Sequence, residues 1–360
     1  PPQGDSLATE PPFAGPQINR EGSLRFAYLN AGKRGVTLDI TQPSGRQLFL
    51  NLVRRCDVIL ETFEPGYLAE HDLGYDVLLE HNPKLILVSL TGFGQDGPYA
   101  HFKAPDIVTT ALGGLLYISG DPDLPPCMPP ESQSYYFSSI FAAYGVMLAL
   151  WQRETRGIGA HTDLSVQASM ALHEHVAFNC AAEGRVMKRA GSQHQHNAPA
   201  NLFQCKNGYI ALFVTQNHWP IFLKIWNDHP AELDDPKWIN NNLRRANAEM
   251  INAMVTSYTS RFLKEDLAHL MQKNGMPALP VNSPSDFMSD PHIRERGFFA
   301  AVTHPVLGSF EQPVPPFVVN GNRLTTGPAP LLGQHNHEVF CGELGLAKRE
   351  LEVLATGGVI

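Results

Sequence analysis

Histidines, cysteines and carboxylates are the side chains here that could do chemistry, and their spacing excludes several kinds of it. The densest histidine clusters are His173-Glu174-His175 and His194-Gln195-His196. An i, i+2 pair on a helix points to different faces, so the first makes a poor metal site. The second falls in a polar loop, where solvated histidines are the ordinary expectation, and no metal is assigned to either. Five cysteines (Cys56, Cys127, Cys180, Cys205 and Cys341) are far apart, odd in number and without a C-x-x-C spacing. Neither a disulfide framework nor a thiolate metal site is expected, and a reducing cytoplasm fits best. Among carboxylates, Asp163 and Glu174 lie near a junction where Thr162-Asp163-Leu164-Ser165-Val166 reads as a strand leading into a helix around Ala168. Strand-to-helix junctions at the carboxyl ends of sheet strands are where α/β proteins place ligands and nucleophiles. Lys33 and Arg34 form an adjacent cation pair at what reads as a strand edge.

The chain that must position these groups has 360 residues, 43% apolar and 17% charged, enough for two globular domains. Its net charge of -8, without a Lys/Arg block, gives no footprint for nucleic acid or an anionic membrane surface. No apolar run reads as the roughly 18 to 20 residues of a membrane span, and no signal peptide is expected. The opening Pro1-Pro2-Gln3-Gly4-Asp5 is abrupt, as if taken from the middle of a longer segment.

The first 30 residues read as a polar surface loop, with order beginning near Tyr28. Val36–Ile40 reads as a strand, Gly45–Arg55 as a helix with Leu48, Phe49, Leu52 and Val53 inward, and Asp57–Glu61 as a short buried strand. A helix over Leu73–His81, stopped by Asn82-Pro83, and the apolar strand Leu85–Leu90 follow. Strands alternating with helices argue for a parallel sheet covered by helices. Ser138–Arg156 reads as a long helix whose Ile140, Ala143, Tyr144, Met147, Leu148 and Trp151 form a core stripe. Residues 200–300 read as a smaller α+β domain, with a hairpin at Asn207-Gly208 and helices carrying Phe222, Ile225, Met250, Met254 and Leu267. The large domain then takes 1–195, and 301–360 is a Pro-rich linker returning to it, ending in a helix over Glu343–Leu354.

Short motifs run the length of the chain. They include Leu38-Asp39-Ile40, Phe63 with Pro65-Gly66, Asn82-Pro83-Lys84, Thr91-Gly92-Phe93-Gly94 and Ala104-Pro105-Asp106. Gly157-Ile158-Gly159, Asp163-Leu164-Ser165, Lys206-Asn207-Gly208-Tyr209, Gly275-Met276-Pro277 and Pro330-Leu331-Leu332-Gly333-Gln334-His335 continue the series. Each is weak alone, but in this order they resemble the family III CoA-transferases, the group that includes the formyl-CoA and carnitine transferases. The resemblance implies an α/β fold with a Rossmann-like large domain built from both chain ends, a small middle domain and an interlocked dimer. It implies a CoA thioester as substrate and no covalently bound cofactor. In that family a strand and helix precede the Pro-Pro-x-Gly-Asp motif.

The family's chemistry needs a nucleophilic carboxylate that attacks a thioester, forms a mixed anhydride and then holds CoA itself. The family places this Asp five positions after the column of Asp163, and counting along the sequence puts Ala168 there. Asp163 occupies a separate column and is expected to be structural. Near CoA the family has Asn-Phe-Arg before Pro-Gly and a further Arg after it; here the matching positions are Thr62, Phe63, Glu64 and Glu70. An anion in place of a cation beside a polyanion repels it. Lys33 and Arg34 keep the family's Lys-Arg pair, the histidine column of the family's racemases falls at Tyr117, and the His194 loop occupies the place of a Gly-rich lid. The expectation is a non-catalytic subunit of a heteromeric CoA-transferase, partnered by an Asp-bearing paralogue. Such heteromers resemble the succinyl-CoA:benzylsuccinate and succinyl-CoA:malate transferases, and the run Glu61-Thr62-Phe63-Glu64-Pro65-Gly66-Tyr67-Leu68 looks closer to the former. A homodimeric transferase whose Asp was replaced, and a non-enzymatic binding protein, stay open as alternatives.

Overall fold

The apolar run beginning at Leu85 becomes the central strand of a three-stranded parallel sheet in the computed structural model, which describes residues 3–15, 19–173 and 175–360. Its strands, β1 (Val58–Glu61), β2 (Ile86–Thr91) and β3 (Ala160–Ser165), pair with Val58 opposite Ile86 and Ile86 opposite Ala160. Ile86, Leu87 and Val88 are all buried, as a central parallel strand covered on both faces requires. On one face Leu85 and Leu87 pack with Leu50 and Val53 of α1 (Pro43–Val53) and Leu78 of α2 (Tyr75–His81). On the other, Ile86 and Val88 pack with Ala142 and Ala149 of α3 (Gln133–Arg156). The architecture is α/β, and β3 runs directly into α4 (Val166–Leu172).

Gly157 and Gly159 make the turn from α3 into β3 possible. Gly157 takes φ +74° after the last helical turn, the left-handed conformation that glycine adopts without strain. At Gly159 a Cβ would stand 2.0 Å from the Leu85 carbonyl oxygen, so only glycine lets β3 approach β2.

Four expectations for this part of the chain are corrected. The stripe read as core on α3 faces outward: Ile140, Tyr144, Met147 and Trp151 are 67%, 62%, 63% and 70% exposed. Ala143 and Leu148 are exposed as well. The buried side chains of this helix are Ser134, Ser138, Ala142 and Ala149, whose small size lets the helix lie close to its neighbours. The same helix is 24 residues long and apolar enough over an 18-residue window to cross a membrane by length and composition, contrary to the reading that no run is. Its contacts with β2 make it a layer of the α/β unit. Val36–Ile40 forms no ladder, because its donors have other acceptors: Thr37 N–H goes to Asn336 Oδ1 and Asp39 N–H to the Val359 carbonyl, and just before the segment Gly35 N–H goes to His335 Nδ1. The opening segment is not plain loop. Asp5, Asn19 and Ser23 accept backbone N–H groups and start 3₁₀ turns at Ser6–Thr9 and Arg20–Gly22 and a helix at Leu24–Leu29. At the other end, the last helix runs Lys348–Thr356 after a π-helical turn at His337–Glu343.

The chain divides into two compact units, Pro1–Ala104 with Tyr135–Ser169 and Met288–Ile360, and Pro105–Ser134 with Met170–Phe287. This grouping differs from a boundary at 195 to 200, because Gly191 N–H bonds the Gly120 carbonyl and Arg189 bonds the carbonyls of Tyr117 and Asp121.

In the second unit β4 (Ala200–Cys205), β5 (Gly208–Phe213) and β6 (Ala278–Pro280) form an antiparallel sheet. Its inner face packs Phe203, Ile210 and Leu212 on α5 (Trp219–Ile225), α7 (Ala248–Thr259) and α8 (Lys264–Lys273), with α6 (Asn241–Ala246) between α5 and α7 in the chain. Phe222 and Leu267 are fully buried as expected, whereas Met250 is 39% exposed. The hairpin turn expected at Asn207-Gly208 also caps a helix, since Asn207 Oδ1 accepts Lys264 N–H at 2.8 Å at the start of α8.

Lys264, buried at the start of α8, donates to the Val281 carbonyl at 3.0 Å and pairs with Asp286 at 3.1 Å. The Ser283 backbone N–H, and then the Lys264 amine, hold the Asp286 carboxyl below the usual carboxylate range. A carboxyl with a depressed folded pKa stabilises the fold above its unfolded value, and that stability is lost as pH falls through the folded one. Asp286→Asn is therefore expected to flatten the acid limb of a Tm-versus-pH profile below about pH 4. An acid limb identical to wild type would mean that this pair is not linked to folding.

Candidate active site

Where β1, β2 and β3 end, the chain leaves a cavity of about 500 Å³. Thr62, Phe63, Glu64 and Pro65 come from the turn after β1, Leu90, Thr91 and Gly92 from the end of β2, and Val166 from the start of α4. Residues 100–104 and Tyr135 and Ser139 of α3 close it. A crevice beyond the carboxyl ends of parallel strands is the usual ligand position in an open α/β sheet.

Each wall is held from behind. The buried Glu61 accepts Phe63 N–H at 2.7 Å, and the Phe63 ring stacks on Tyr67 at 4.6 Å between centroids. Phe102 packs on Tyr99 at 4.9 Å, and Tyr135 Oη donates to the Ala104 carbonyl at 3.1 Å. Across the mouth, Lys103 Nζ forms an ion pair with Glu64, which keeps that carboxyl below its ordinary pKa range. Glu64 therefore does not face the cavity as a bare anion, contrary to the repulsion argued from its type alone. Lys103 was missed by sequence reasoning, although it directly precedes the Ala104-Pro105-Asp106 motif. Its partner is 39 positions away, so nothing local flagged the pair.

The junction carrying Ala168 lies beside this cavity. Ala168 N–H donates to Ser165 Oγ at 3.2 Å, Gln167 N–H to the Gly92 carbonyl at 3.0 Å and Ser169 Oγ to the Ser165 carbonyl at 2.9 Å. The Ala168 methyl is thus exposed in the first turn of α4, two residues beyond Val166 in the cavity wall. Asp163 accepts Gln95 N–H with both carboxylate oxygens, at 3.1 and 3.0 Å, and so braces the turn that follows β2.

Other candidate residues stand apart. Glu174 lies outside the described residues. Glu70 is exposed on the short helix Tyr67–Glu70 and does not line the cavity. Lys33 and Arg34 line a different cavity, of about 380 Å³, in the same unit. There Arg34 pairs with Glu338 at 2.8 Å and with Glu343, while Lys33 Nζ bonds Asn30 Oδ1 at 2.9 Å. Neither Lys33 nor Arg34 sits on a strand edge, since 33–39 forms no ladder.

In the second unit, Tyr117 is 56% exposed on the helix Leu115–Ile118. His194 accepts His196 N–H at Nδ1, so its neutral ring carries the proton on Nε2; burial, and then the neighbouring His196, lower its pKa. Among the described residues no three His, Cys, Asp or Glu side chains gather to hold a metal ion.

A helix-covered parallel sheet with a cleft at its strand ends defines an α/β protein built to hold a ligand. Residues 1–336 match the model of CoA-transferase family III, and this chain belongs to that family, which transfers CoA between an acyl-CoA and a carboxylate without a separate cofactor. It is 31% identical to succinyl-CoA:glutarate CoA-transferase of Mus musculus, over 99% of this chain and 81% of that protein. It is also 31% identical to succinyl-CoA--D-citramalate CoA-transferase of Chloroflexus aurantiacus, over 98% of this chain and 90% of that protein. The crystal structure of a CaiB/BaiF family protein from Brucella suis superposes with a TM-score of 0.82 at 27% identity, covering 95% of this chain and 89% of the other.

Proposed function

We propose that this chain is a supporting subunit of a heteromeric CoA-transferase that moves CoA from a donor acyl-CoA, of the succinyl-CoA type, to an acceptor carboxylate. The observation that supports this reading is Ala168: an exposed methyl group stands in the first turn of α4, two residues beyond Val166 of the cavity wall, and counting from Asp163 assigns this position to the family's carboxylate. The donor class follows from relatives whose names specify succinyl-CoA. The nucleophile comes from an Asp-bearing paralogue. Thr62, Phe63 and Glu64 line the CoA-binding cleft, while Lys33, Arg34 and Glu70 contribute no wall to it.

The paralogue covers the outward stripe of α3. Ile140, Tyr144, Met147 and Trp151 recur at i, i+4, i+7 and i+11, one face of a helix, and leaving four such side chains in water is unfavourable. An interlocked pair of subunits would bury that stripe. Native mass spectrometry of the tagged chain from its own host is expected to find a one-to-one heteromer, and transfer assays on the pair to find activity. The double variant Met147→Asp, Trp151→Asp is expected to release the chain as a folded monomer, since each introduced charge would be desolvated in the interface. A pure homodimer from the host sinks the heteromeric reading, and a heteromer untouched by the double variant sinks the role of this stripe.

A further inference from the structure

The outer face of the sheet in the second unit belongs neither to the cleft nor to the stripe on α3. Leu202, Ala211 and Leu279 lie side by side across β4, β5 and β6, and Leu202 and Leu279 are 44% and 59% exposed. Ala200 opposite Phe213 is the next row on the same face, because side chains along a strand alternate, while Phe203, Ile210 and Leu212 fill the core. These two rows wall a cavity of about 390 Å³. At one end of it stands His194, whose ring packs edge-on against Phe213 at 5.0 Å between centroids. The same histidine lines a second cavity, of about 410 Å³, together with Gln195, Asn242 and Arg245. Among the described residues no carboxylate lines either cavity. Arg245 is exposed, and its one hydrogen bond among those residues is to Asn242 Oδ1, at 3.4 Å. Neutral His194 keeps a donor N–H on Nε2, since its Nδ1 accepts His196 N–H. The loop that carries it is held from behind, where Asn241 donates to the His196 carbonyl at 2.7 Å and Asn252 to Gln193 Oε1 at 2.6 Å. An apolar face thus ends in a guanidinium, an imidazole N–H and a side-chain amide, a donor set that suits an oxyanion.

We infer that this face binds an amphipathic monocarboxylate, with its apolar body on Leu202, Leu279 and Phe213 and its carboxylate between Arg245 and His194. A dicarboxylate fits less well, because its second anion would be laid on apolar surface without a partner. A neutral apolar molecule would leave the guanidinium unused. The cleft is built from the first unit and this site wholly from the second, so it is a second ligand site, independent of the heteromeric reading. A loop already held in place orders little on binding, which favours a small ligand.

Titration calorimetry with octanoate, on the chain in the assembly it forms in its host, tests this. Affinity is expected to rise about two- to fourfold per methylene from butyrate through hexanoate to octanoate. Arg245→Gln is expected to weaken octanoate about two- to fivefold at low salt and to leave 1-octanol unchanged, as an exposed ion pair would. Leu279→Ser should weaken both, by the loss of apolar contact. Both side chains are exposed, so neither change threatens the fold. Lys103→Gln, in the cleft, should leave octanoate binding as it is. Octanoate affinity that ignores both Arg245→Gln and Leu279→Ser, or that falls with Lys103→Gln, would place the acid elsewhere and overturn the proposal. A response to only one of the two would remove either the head or the body of the ligand, and with it the assigned class. Succinate bound as tightly as octanoate would do the same. No octanoate binding by the assembly would also overturn the site, even if the isolated chain bound it, because a face closed on assembly belongs to the partner.

Discussion

Incubated alone with succinyl-CoA and a dicarboxylate acceptor, the chain is expected to turn over nothing above the uncatalysed rate and to carry no covalent adduct by intact-protein mass spectrometry. Transfer through a covalent intermediate requires an enzyme carboxylate to attack the thioester carbonyl, expelling CoA thiolate and forming a mixed anhydride. The thiolate then attacks the enzyme's carbonyl, releasing the donor acid and leaving CoA on the enzyme as a thioester. At position 168 a methyl group can take no part in either step. The described carboxylates around the cleft have other partners: Asp163 is held by Gln95 N–H, Glu61 by Phe63 N–H and Glu64 by Lys103. In the assembled heteromer the adduct should appear on the paralogue alone. Replacing the paralogue's nucleophilic Asp should then cut the rate by roughly 10³-fold or more, whereas Ala168→Ser should leave it within about twofold, an ordinary surface effect. Ala168→Asp adds an anion to the first turn of a helix, where the backbone favours negative charge, so the new carboxylate should be ionised. Multiple turnover by the isolated Ala168→Asp chain would show that the site lacked only its nucleophile, and the supporting-subunit reading would fall to the homodimeric one.

Local chemistry was legible in the sequence, and distant pairing was not. The central strand could be read because a parallel strand covered on both faces is continuously apolar, as Leu85 to Leu90 is. The hairpin around Asn207-Gly208 could be read because asparagine and glycine punctuate the strand pattern there, although the turn itself falls at Lys206-Asn207 and Gly208 opens β5. Helix α3 misled because it is apolar nearly all round. The large residues Ile140, Tyr144, Met147 and Trp151 looked like core, while Ala142 and Ala149, which carry little hydrophobic signal, are what the sheet receives. Val36–Ile40 misled for a different reason. It has the composition of a strand, but its backbone partners are Asn336 and Val359, some three hundred positions on, and no periodicity reports them. In the site the same limit applied: the neutralisation of Glu64 by Lys103, 39 positions away, needed the fold.

Arg244→Met is expected to destabilise the second unit by about 4 kcal/mol. Arg244 is fully buried, and among the described residues no carboxylate pairs with it. Its guanidinium donates to the carbonyls of Ala198, Trp238 and Ile239 and to Asn241 Oδ1, and lies 4.8 Å above the Trp219 ring. Burial pushes its pKa down to about 10, so at neutral pH it keeps its charge and all its donors. A planar fork can reach three carbonyls at once, which an ammonium on a flexible stem cannot, so Arg244→Lys should recover only part of the loss. Methionine fills the volume but leaves three carbonyls without their donor, each at a cost of about 1 to 3 kcal/mol if it stays dry. The Ala198 carbonyl ends the loop carrying His194 and His196, and Asn241 holds the same loop by bonds to His196 and Ala198. Hydrogen exchange should therefore accelerate first over residues 192–199 and 236–241, ahead of the sheet. Urea unfolding of Arg244→Met that matches wild type would mean that water takes over these carbonyls and that the buried cation is not what ties the loop to α6.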